Sequence, residues 1–254
     1  MFQDKNRVYV LDGGLDHYWR TWVTVSIITN CGAHQQFIDA GAEIIMTNSY
    51  HCSIQKMQEV RGYTLEQAEQ SIARTVDIAR QAIHTSKHPQ TLLVGAVGPY
   101  ATYLRDGSEY SGAYTKKPGF DPQTIVDFYL KQCKPLVEAG IKCLVFETIP
   151  TLIEVKCVGK VLDQLDNSIQ AWVVVTCEDG LTTRSGIVSK KCGEVYNTTL
   201  RKFEGDTRIN VIAELIPTWH ELGARIFGGC CRVLPNHIRQ IAESCQKLKE
   251  KMIT

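Results

Sequence analysis

The sequence lacks the features that would assign it to several common classes of protein. Residues 1–7 are polar, and no apolar run approaches the length of a membrane span, so we expect neither a signal peptide nor a membrane anchor. The formal net charge is only +1, with no basic patch, which argues against a nucleic-acid or membrane-surface partner. We therefore expect a cytoplasmic protein that acts on small molecules.

Short motifs for nucleotide and metal binding are also missing. The chain has no Walker A sequence and no GxGxxG, and its seven histidines show no metal spacing such as HxxxH with a Glu. Its ten cysteines include no CxxC pair, although in a reducing compartment they are core residues, metal ligands or reactive thiols rather than disulfides. A redox or metal-buffering protein remains an alternative, and the missing CxxC pair counts against it.

What the sequence does contain is a series of short apolar runs, rich in β-branched residues, with helical segments between them. This alternation predicts a parallel α/β sheet, and 254 residues are a length that a single βα barrel can use. The runs are 7–14, 42–50, 91–100, 143–150, 171–177 and 224–231. The helical segments are 64–84, with a capping box of Thr64 and Gln67, 121–139, 152–165 and 234–251.

The strand pattern breaks between the fifth run and the last. Residues 178–207 contain no convincing strand, and 208–215 is expected to be a helix that leads into Trp219. We therefore predict an α/β fold of the TIM-type (β/α)8 barrel, incomplete with about six recognisable strands, in a single domain over 1–254.

Chemically active residues stand where the predicted strands end, and in a βα barrel those ends share one face. A carboxylate at Asp12 can hold a substrate ammonium, although an Asp-Gly pair is also an ordinary turn. Glu147 interrupts an apolar run, so we expect it to meet a cationic ligand or an internal partner. The full set is Asp12, Asn48, Glu147, Cys177, Cys230 and Cys231.

The sequence 228–232, Gly-Gly-Cys-Cys-Arg, is the sharpest chemical signal. Side chains alternate along a regular strand, but two preceding glycines free the backbone so that the sulfurs of Cys230 and Cys231 can face one metal. Zinc favours such thiolates, and a thiol bound to it loses its proton and becomes a nucleophile. The alternative is a buried cysteine pair after a glycine-rich turn.

Seven stretches in order along the chain resemble the homocysteine S-methyltransferase family, in the branch that uses S-methylmethionine or S-adenosylmethionine. The resemblance implies a zinc-dependent barrel that makes methionine from homocysteine and a sulfonium methyl donor. By matching position, Cys230 and Cys231 would be zinc ligands, and Asp12 and Glu147 would hold the amino end of homocysteine. The stretches are 11–14, 41–50, 95–100, 106–112, 146–150, 193–196 and 228–232.

The chain departs from the family pattern in ways that bear on the zinc site. The family's third zinc ligand lies in a Gly-x-Asn-Cys motif that ends the sixth strand, and this chain has no such motif. The sixth strand and most of the seventh are missing by this comparison, and 15–31 is shortened. Cys192 is a candidate third ligand and Cys177 a weaker one. The alternative to an active enzyme is a catalytically inactive truncated relative, a splice form or decayed copy, that binds only a ligand or partner.

Overall fold

The strands and helices largely follow the predicted order. The computed structural model describes residues 7–12, 31–175, 194–197, 202–205, 211–221, 223–229 and 233–253. The strands in these ranges are β1 (Tyr9–Val10), β2 (Ile44–Met46), β3 (Leu92–Val97), β4 (Cys143–Ile149), β5 (Gln170–Val175), β6 (Glu194–Asn197), β7 (Lys202–Gly205) and β8 (Ile226–Phe227). The helices are α1 (Cys31–Asp39), α2 (Ile54–Arg61), α3 (Leu65–Thr85), α4 (Ala101–Leu104), α5 (Pro122–Glu138), α6 (Leu152–Leu162), α7 (Val211–Glu221) and α8 (Pro235–Ile253).

Local sequence explains where the long helices begin. At α3 the Thr64 backbone N–H donates to Gln67 Oε1 over 2.9 Å, and the Gln67 N–H donates to Thr64 Oγ1 over 3.2 Å. This is the predicted capping box, and it satisfies two N–H groups that lie outside the helical ladder. At α5 the Asp121 carboxylate accepts from the Gln123 N–H over 2.9 Å, as its N-cap position predicts.

The chain divides into two compact units, each assembled from separate segments. The first consists of Met1–Met46, Asp77–Leu93 and Arg208–Thr254, and the second of Thr47–Val76 and Val94–Thr207. The expectation of a single domain over 1–254 stays a prediction.

In the first unit the earliest strand pairs with the latest. β1 runs parallel to β8, with Tyr9 opposite Ile226 and Val10 opposite Phe227. Leu11 also bridges in parallel to Ile44 at the start of β2. Directly before β2, the carboxylate of Glu43 lies 3.0 Å by both oxygens from Lys249 Nζ on α8. Because β1 and β8 are parallel, Gly228 and Gly229, which follow β8, lie near Asp12, which follows β1.

In the second unit the part of β3 from Val94 onwards, β4 and β5 lie side by side in parallel. Gly95 is opposite Leu144, and Phe146 is opposite Val173. The first four residues of β4 are buried, as expected of a strand covered on both faces. Phe146 packs edge-on against Tyr129 of α5, with ring centroids 5.2 Å apart. This apolar layer holds the end of β4, and so Glu147, in place.

One prediction about strands was wrong. Residues 178–207 were expected to contain no strand, but β6 and β7 form an antiparallel pair in which Val195 lies opposite Glu204. Each strand has four residues and mixes polar with apolar types, so neither produces the continuous apolar run on which the prediction relied. The helix expected after 208 is confirmed as α7. No helix in the described part of the chain is long and apolar enough to cross a membrane.

Candidate functional site

Asp12 is buried at the end of β1 and is held there mainly by main-chain contacts. Its backbone N–H donates to the Ile44 carbonyl over 3.0 Å, and its side-chain Oδ2 accepts from the Met46 N–H over 3.1 Å. The other carboxylate oxygen, Oδ1, is buried without a hydrogen-bond partner. Burial raises the pKa of Asp12 to about 8, against the smaller opposing effect of the Met46 hydrogen bond. Asp12 is thus an unsatisfied acid that a donor, such as an ammonium group, would complete.

The two glycines after β8 bring the cysteine pair's segment against Asp12. The Gly229 N–H donates to the Asp12 carbonyl over 3.2 Å. A Cβ on Gly228 would lie 2.7 Å from the Leu11 carbonyl oxygen, and one on Gly229 would lie 2.2 Å from Val233 Cβ. Only glycine allows this close approach. The sequence predicted glycine here because the backbone needs conformational freedom, and the structure adds a second reason, since there is no space for a side chain at either position.

The predicted metal ligands cannot be placed. Cys230, Cys231, Cys192 and the weaker candidate Cys177 lie outside the described residues. Among the residues that the structure does describe, no group of three histidine, cysteine or acidic side chains is arranged to hold a metal. The described cysteines are free thiols, and burial raises the pKa of Cys52 and Cys245 to about 12, which keeps them protonated. The zinc ligand set stays a prediction.

Glu147, the second predicted substrate residue, lies in the second unit at an irregularity in β4. The pairing with β5 shifts between Phe146 and Ile149, so that Glu147 and Thr148 together face one residue of β5. Thr148 has φ +58°, an uncommon conformation for a β-branched residue. Such bulges occur beside active sites, where they turn a side chain in a new direction. Sequence reasoning identified Glu147 but missed Thr148.

Tyr50, which follows β2, is part of the same group of side chains. The Thr148 side chain lies near the Tyr50 phenol and acts to lower the phenol's pKa. Burial holds the pKa of the Tyr50 phenol well above its ordinary value, and the nearby acidic groups of Glu147, Tyr110 and Glu109 raise it further. The phenol therefore stays protonated.

A second acidic residue, Glu154, was missed by sequence reasoning and fixes the loop after β3. Its carboxylate is fully buried in α6 and accepts hydrogen bonds from the Tyr100 N–H over 2.8 Å, the Tyr129 hydroxyl over 2.7 Å and the Tyr114 hydroxyl. Burial raises its pKa, while these three donors favour the charged form. Gly112 of the loop also packs closely against Thr151, the residue before α6. A Cβ at Gly112 would lie 2.2 Å from Thr151 Cγ2, so a larger residue would not fit there. The 98–117 loop is thus a fixed wall of the second unit.

With this geometry in hand, comparison with known proteins identifies the family. A family model described as Homocysteine S-methyltransferase matches residues 10–196 and 187–245. The chain belongs to this family. The two matched ranges overlap over 187–196, the stretch where the sixth-strand motif is missing from the sequence.

Individual relatives agree with the family assignment. Homocysteine S-methyltransferase 1 of Arabidopsis thaliana is 28% identical over 286 aligned positions, which cover 89% of this chain and 87% of that protein. Homocysteine S-methyltransferase YbgG of Bacillus subtilis is 27% identical over 268 positions, covering 85% and 83%. Both alignments are longer than the 254-residue chain, so each relative has residues that this chain lacks within the aligned region.

A solved structure confirms the fold class. The metallated form of the homocysteine methyltransferase MmuM from Escherichia coli superimposes with a TM-score of 0.74 at 23% identity, covering 93% of this chain and 96% of that chain. The α/β fold of the TIM-barrel type, predicted from the sequence, is thereby confirmed.

Proposed function

We propose that this chain transfers a methyl group from a sulfonium donor, S-methylmethionine or S-adenosylmethionine, to the thiol of homocysteine, giving methionine. The observation that carries the proposal is Asp12, a buried acid with one unpartnered carboxylate oxygen next to the segment that leads into Cys230 and Cys231. An isolated buried acid is costly unless a ligand completes it. The family relationship supports homocysteine as that ligand.

The acceptor's amino end would be held by carboxylates. Homocysteine carries an ammonium group, which donates up to three hydrogen bonds, and Asp12 Oδ1 has capacity to accept one. Bringing a cation to Asp12 favours its ionised form, so ammonium binding would release the proton that burial retains. Glu147 would provide the second carboxylate, as its position in the family motif implies.

The residues present fit a zinc ion in chemical type. Cys230 and Cys231 would hold it, with Cys192 as the proposed third ligand, and two adjacent thiols after a Gly-Gly turn are a donor set that zinc favours. Bound zinc would lower the pKa of the homocysteine thiol. The chain's own residues would orient the acceptor. By holding its amino end, they would place its sulfur in line with the bond between the donor's methyl carbon and the donor's sulfur.

The reaction needs neither nucleic acid nor a membrane. The substrates are small molecules, and we place the enzyme in the cytoplasm. The fixed 98–117 loop would form one wall of the donor's site, because loops after barrel strands line the active face.

Metal analysis and turnover test the proposal together. Purified protein should contain about one zinc per chain and should form methionine from homocysteine with S-methylmethionine or S-adenosylmethionine. Cys230→Ser should lose both zinc and turnover, whereas Cys31→Ser, at a partly exposed free thiol, should keep both. A folded protein with neither zinc nor methionine formation would instead support the inactive truncated relative.

A further inference from the structure

The two ends of the 98–117 loop meet at one carboxylate. Near the start of the loop, the Tyr100 N–H donates to Glu154 Oε1 over 2.8 Å, and near its end the Tyr114 hydroxyl donates to Oε2 of the same side chain. The rings of Tyr100 and Tyr114 also pack edge-on, with centroids 5.6 Å apart. Glu154 therefore closes the loop at its base and holds it from both ends.

The middle of the closed loop lies at the side of a barrel strand that carries a predicted substrate residue. The 3₁₀ turn Ser108–Tyr110 lies beside β4, the strand that contains Glu147. Asp106 fixes the start of this turn, since its Oδ1 accepts from the Ser108 N–H over 3.0 Å. Parallel barrel strands end at the face where active sites form, so the position of this turn bears on the shape of the substrate pocket.

A third donor to the same carboxylate lies outside the loop. Tyr129 on α5 is fully buried and donates its hydroxyl to Glu154 Oε1 over 2.7 Å. The two oxygens of a carboxylate can accept all three hydrogen bonds at once. Tyr114 and Tyr129 thus make the same kind of bond to one acceptor, but only the bond from Tyr114 holds the loop.

We propose that Glu154 is a positioning residue for the methyl donor, which closes the 98–117 loop through Tyr100 and Tyr114 and so holds the wall against which the sulfonium substrate binds. The inference rests on the proposed function, in which this loop forms that wall. Glu154 is buried and acts through the loop rather than by contact with the donor. A loop released from it would have to be ordered again whenever the donor binds, and the apparent affinity falls with the fraction of molecules in which the loop is closed.

The test compares donor binding with acceptor binding in the full chain. Dissociation constants for S-methylmethionine, S-adenosylmethionine and homocysteine are measured by calorimetry for the wild type and four variants, and urea unfolding shows that each variant is folded. Glu154→Ala removes the acceptor of all three bonds. Glu154→Gln keeps an oxygen for the Tyr100 N–H and the Tyr129 hydroxyl and offers an amide N–H to the Tyr114 oxygen. Tyr114→Phe removes the hydroxyl of the loop, and Tyr129→Phe, the matched control, removes the hydroxyl of α5.

Glu154→Ala should bind the sulfonium donor about tenfold more weakly and Tyr114→Phe about threefold more weakly, the scale expected when hydrogen bonds that hold the loop are lost. Glu154→Gln and Tyr129→Phe should bind the donor as the wild type does, and homocysteine should bind all five proteins alike.

Three results would overturn the inference and leave the proposed function intact, provided that the wild type forms methionine. They are unchanged donor binding by Glu154→Ala, equal weakening toward donor and homocysteine, and equal weakening by Tyr114→Phe and Tyr129→Phe. The last two would show that the carboxylate only stabilises the fold. If Glu154→Ala does not fold, the comparison of Tyr114→Phe with Tyr129→Phe decides the matter alone. A folded wild type that binds neither donor and forms no methionine would overturn both the inference and the proposed function.

Discussion

The backbone N–H of Gly229 donates a hydrogen bond to the carbonyl oxygen of Asp12, over a distance of 3.2 Å. This bond continues the parallel pairing of β1 with β8 beyond the last paired strand residues. It joins the proposed substrate carboxylate to the segment that leads into the cysteine pair. Displacing one segment should therefore disturb the other.

Gly228→Ala should break this arrangement. The new methyl group would lie 2.6 Å from Leu11 Cβ and 2.7 Å from the Leu11 carbonyl oxygen, too close for either to remain in place. We expect a loss of about 1–3 kcal/mol in the free energy of unfolding, as overpacking usually costs, together with reduced zinc retention. Urea unfolding and metal analysis measure the two effects.

A matched glycine elsewhere provides the control. Gly159 lies inside α6, and a Cβ there would have no heavy atom within 4 Å apart from its chain neighbours and the nearby backbone of its own helix. Gly159→Ala should stabilise the protein by about 0.5–1 kcal/mol, because alanine has the higher helix propensity, and should leave zinc content unchanged. If both alanine variants behaved alike, close packing at Gly228 would not be the cause.

Asp12→Asn should make the ligand-free protein more stable and poorer at binding homocysteine. Burial raises the Asp12 pKa to about 8, so the folded state keeps a proton that the unfolded state loses near the ordinary aspartate pKa of 3.8. Stability therefore falls as pH rises between these values, by up to about 6 kcal/mol. The advantage of the asparagine variant in urea unfolding should grow from pH 5 to pH 8. A gap that does not change with pH would contradict the assignment.

The parts of the fold that were predicted are those that the hydrophobic pattern determines. The six apolar runs correspond to β1–β5 and β8, and the capping residues Thr64 and Asp121 mark where α3 and α5 begin. The parts that were missed lack such a pattern. α1 and α2 are short, with nine and eight residues, and the β6–β7 pair has no continuous apolar run.

Within the site, sequence reasoning found groups at strand ends but not the contacts that orient them. Asp12 and Glu147 could be named because an acid at the end of an apolar run is conspicuous. Glu154 has no such signal, since an acid in the first turn of a helix is ordinary. Its three hydrogen-bond donors come from residues 25 to 54 positions away in sequence. Thr148 was missed because a backbone conformation cannot be read from residue type when the residue is not glycine.

His34 should make the protein sensitive to acid. It is fully buried in α1, and neither ring nitrogen has a hydrogen-bond partner. Burial lowers its pKa to about 4 from 6.5, so the stability that the neutral ring contributes is present above 6.5 and is lost as pH falls through 4. The loss should approach about 3 kcal/mol. His34→Phe should remove this component of the acid dependence, and a change at exposed His84 should not.

Glu154→Ala should loosen the 98–117 loop and destabilise the second unit. The substitution leaves the hydroxyls of Tyr114 and Tyr129 and the N–H of Tyr100 without their acceptor, and each buried orphan costs about 1–3 kcal/mol. We expect faster limited proteolysis within the loop and a lower free energy of unfolding. Glu66→Ala, which removes an exposed acid from the first turn of α3, is the control and should change neither. If the loop of Glu154→Ala resisted proteolysis as well as the wild type's, Gly112 packing rather than the carboxylate would be what fixes it.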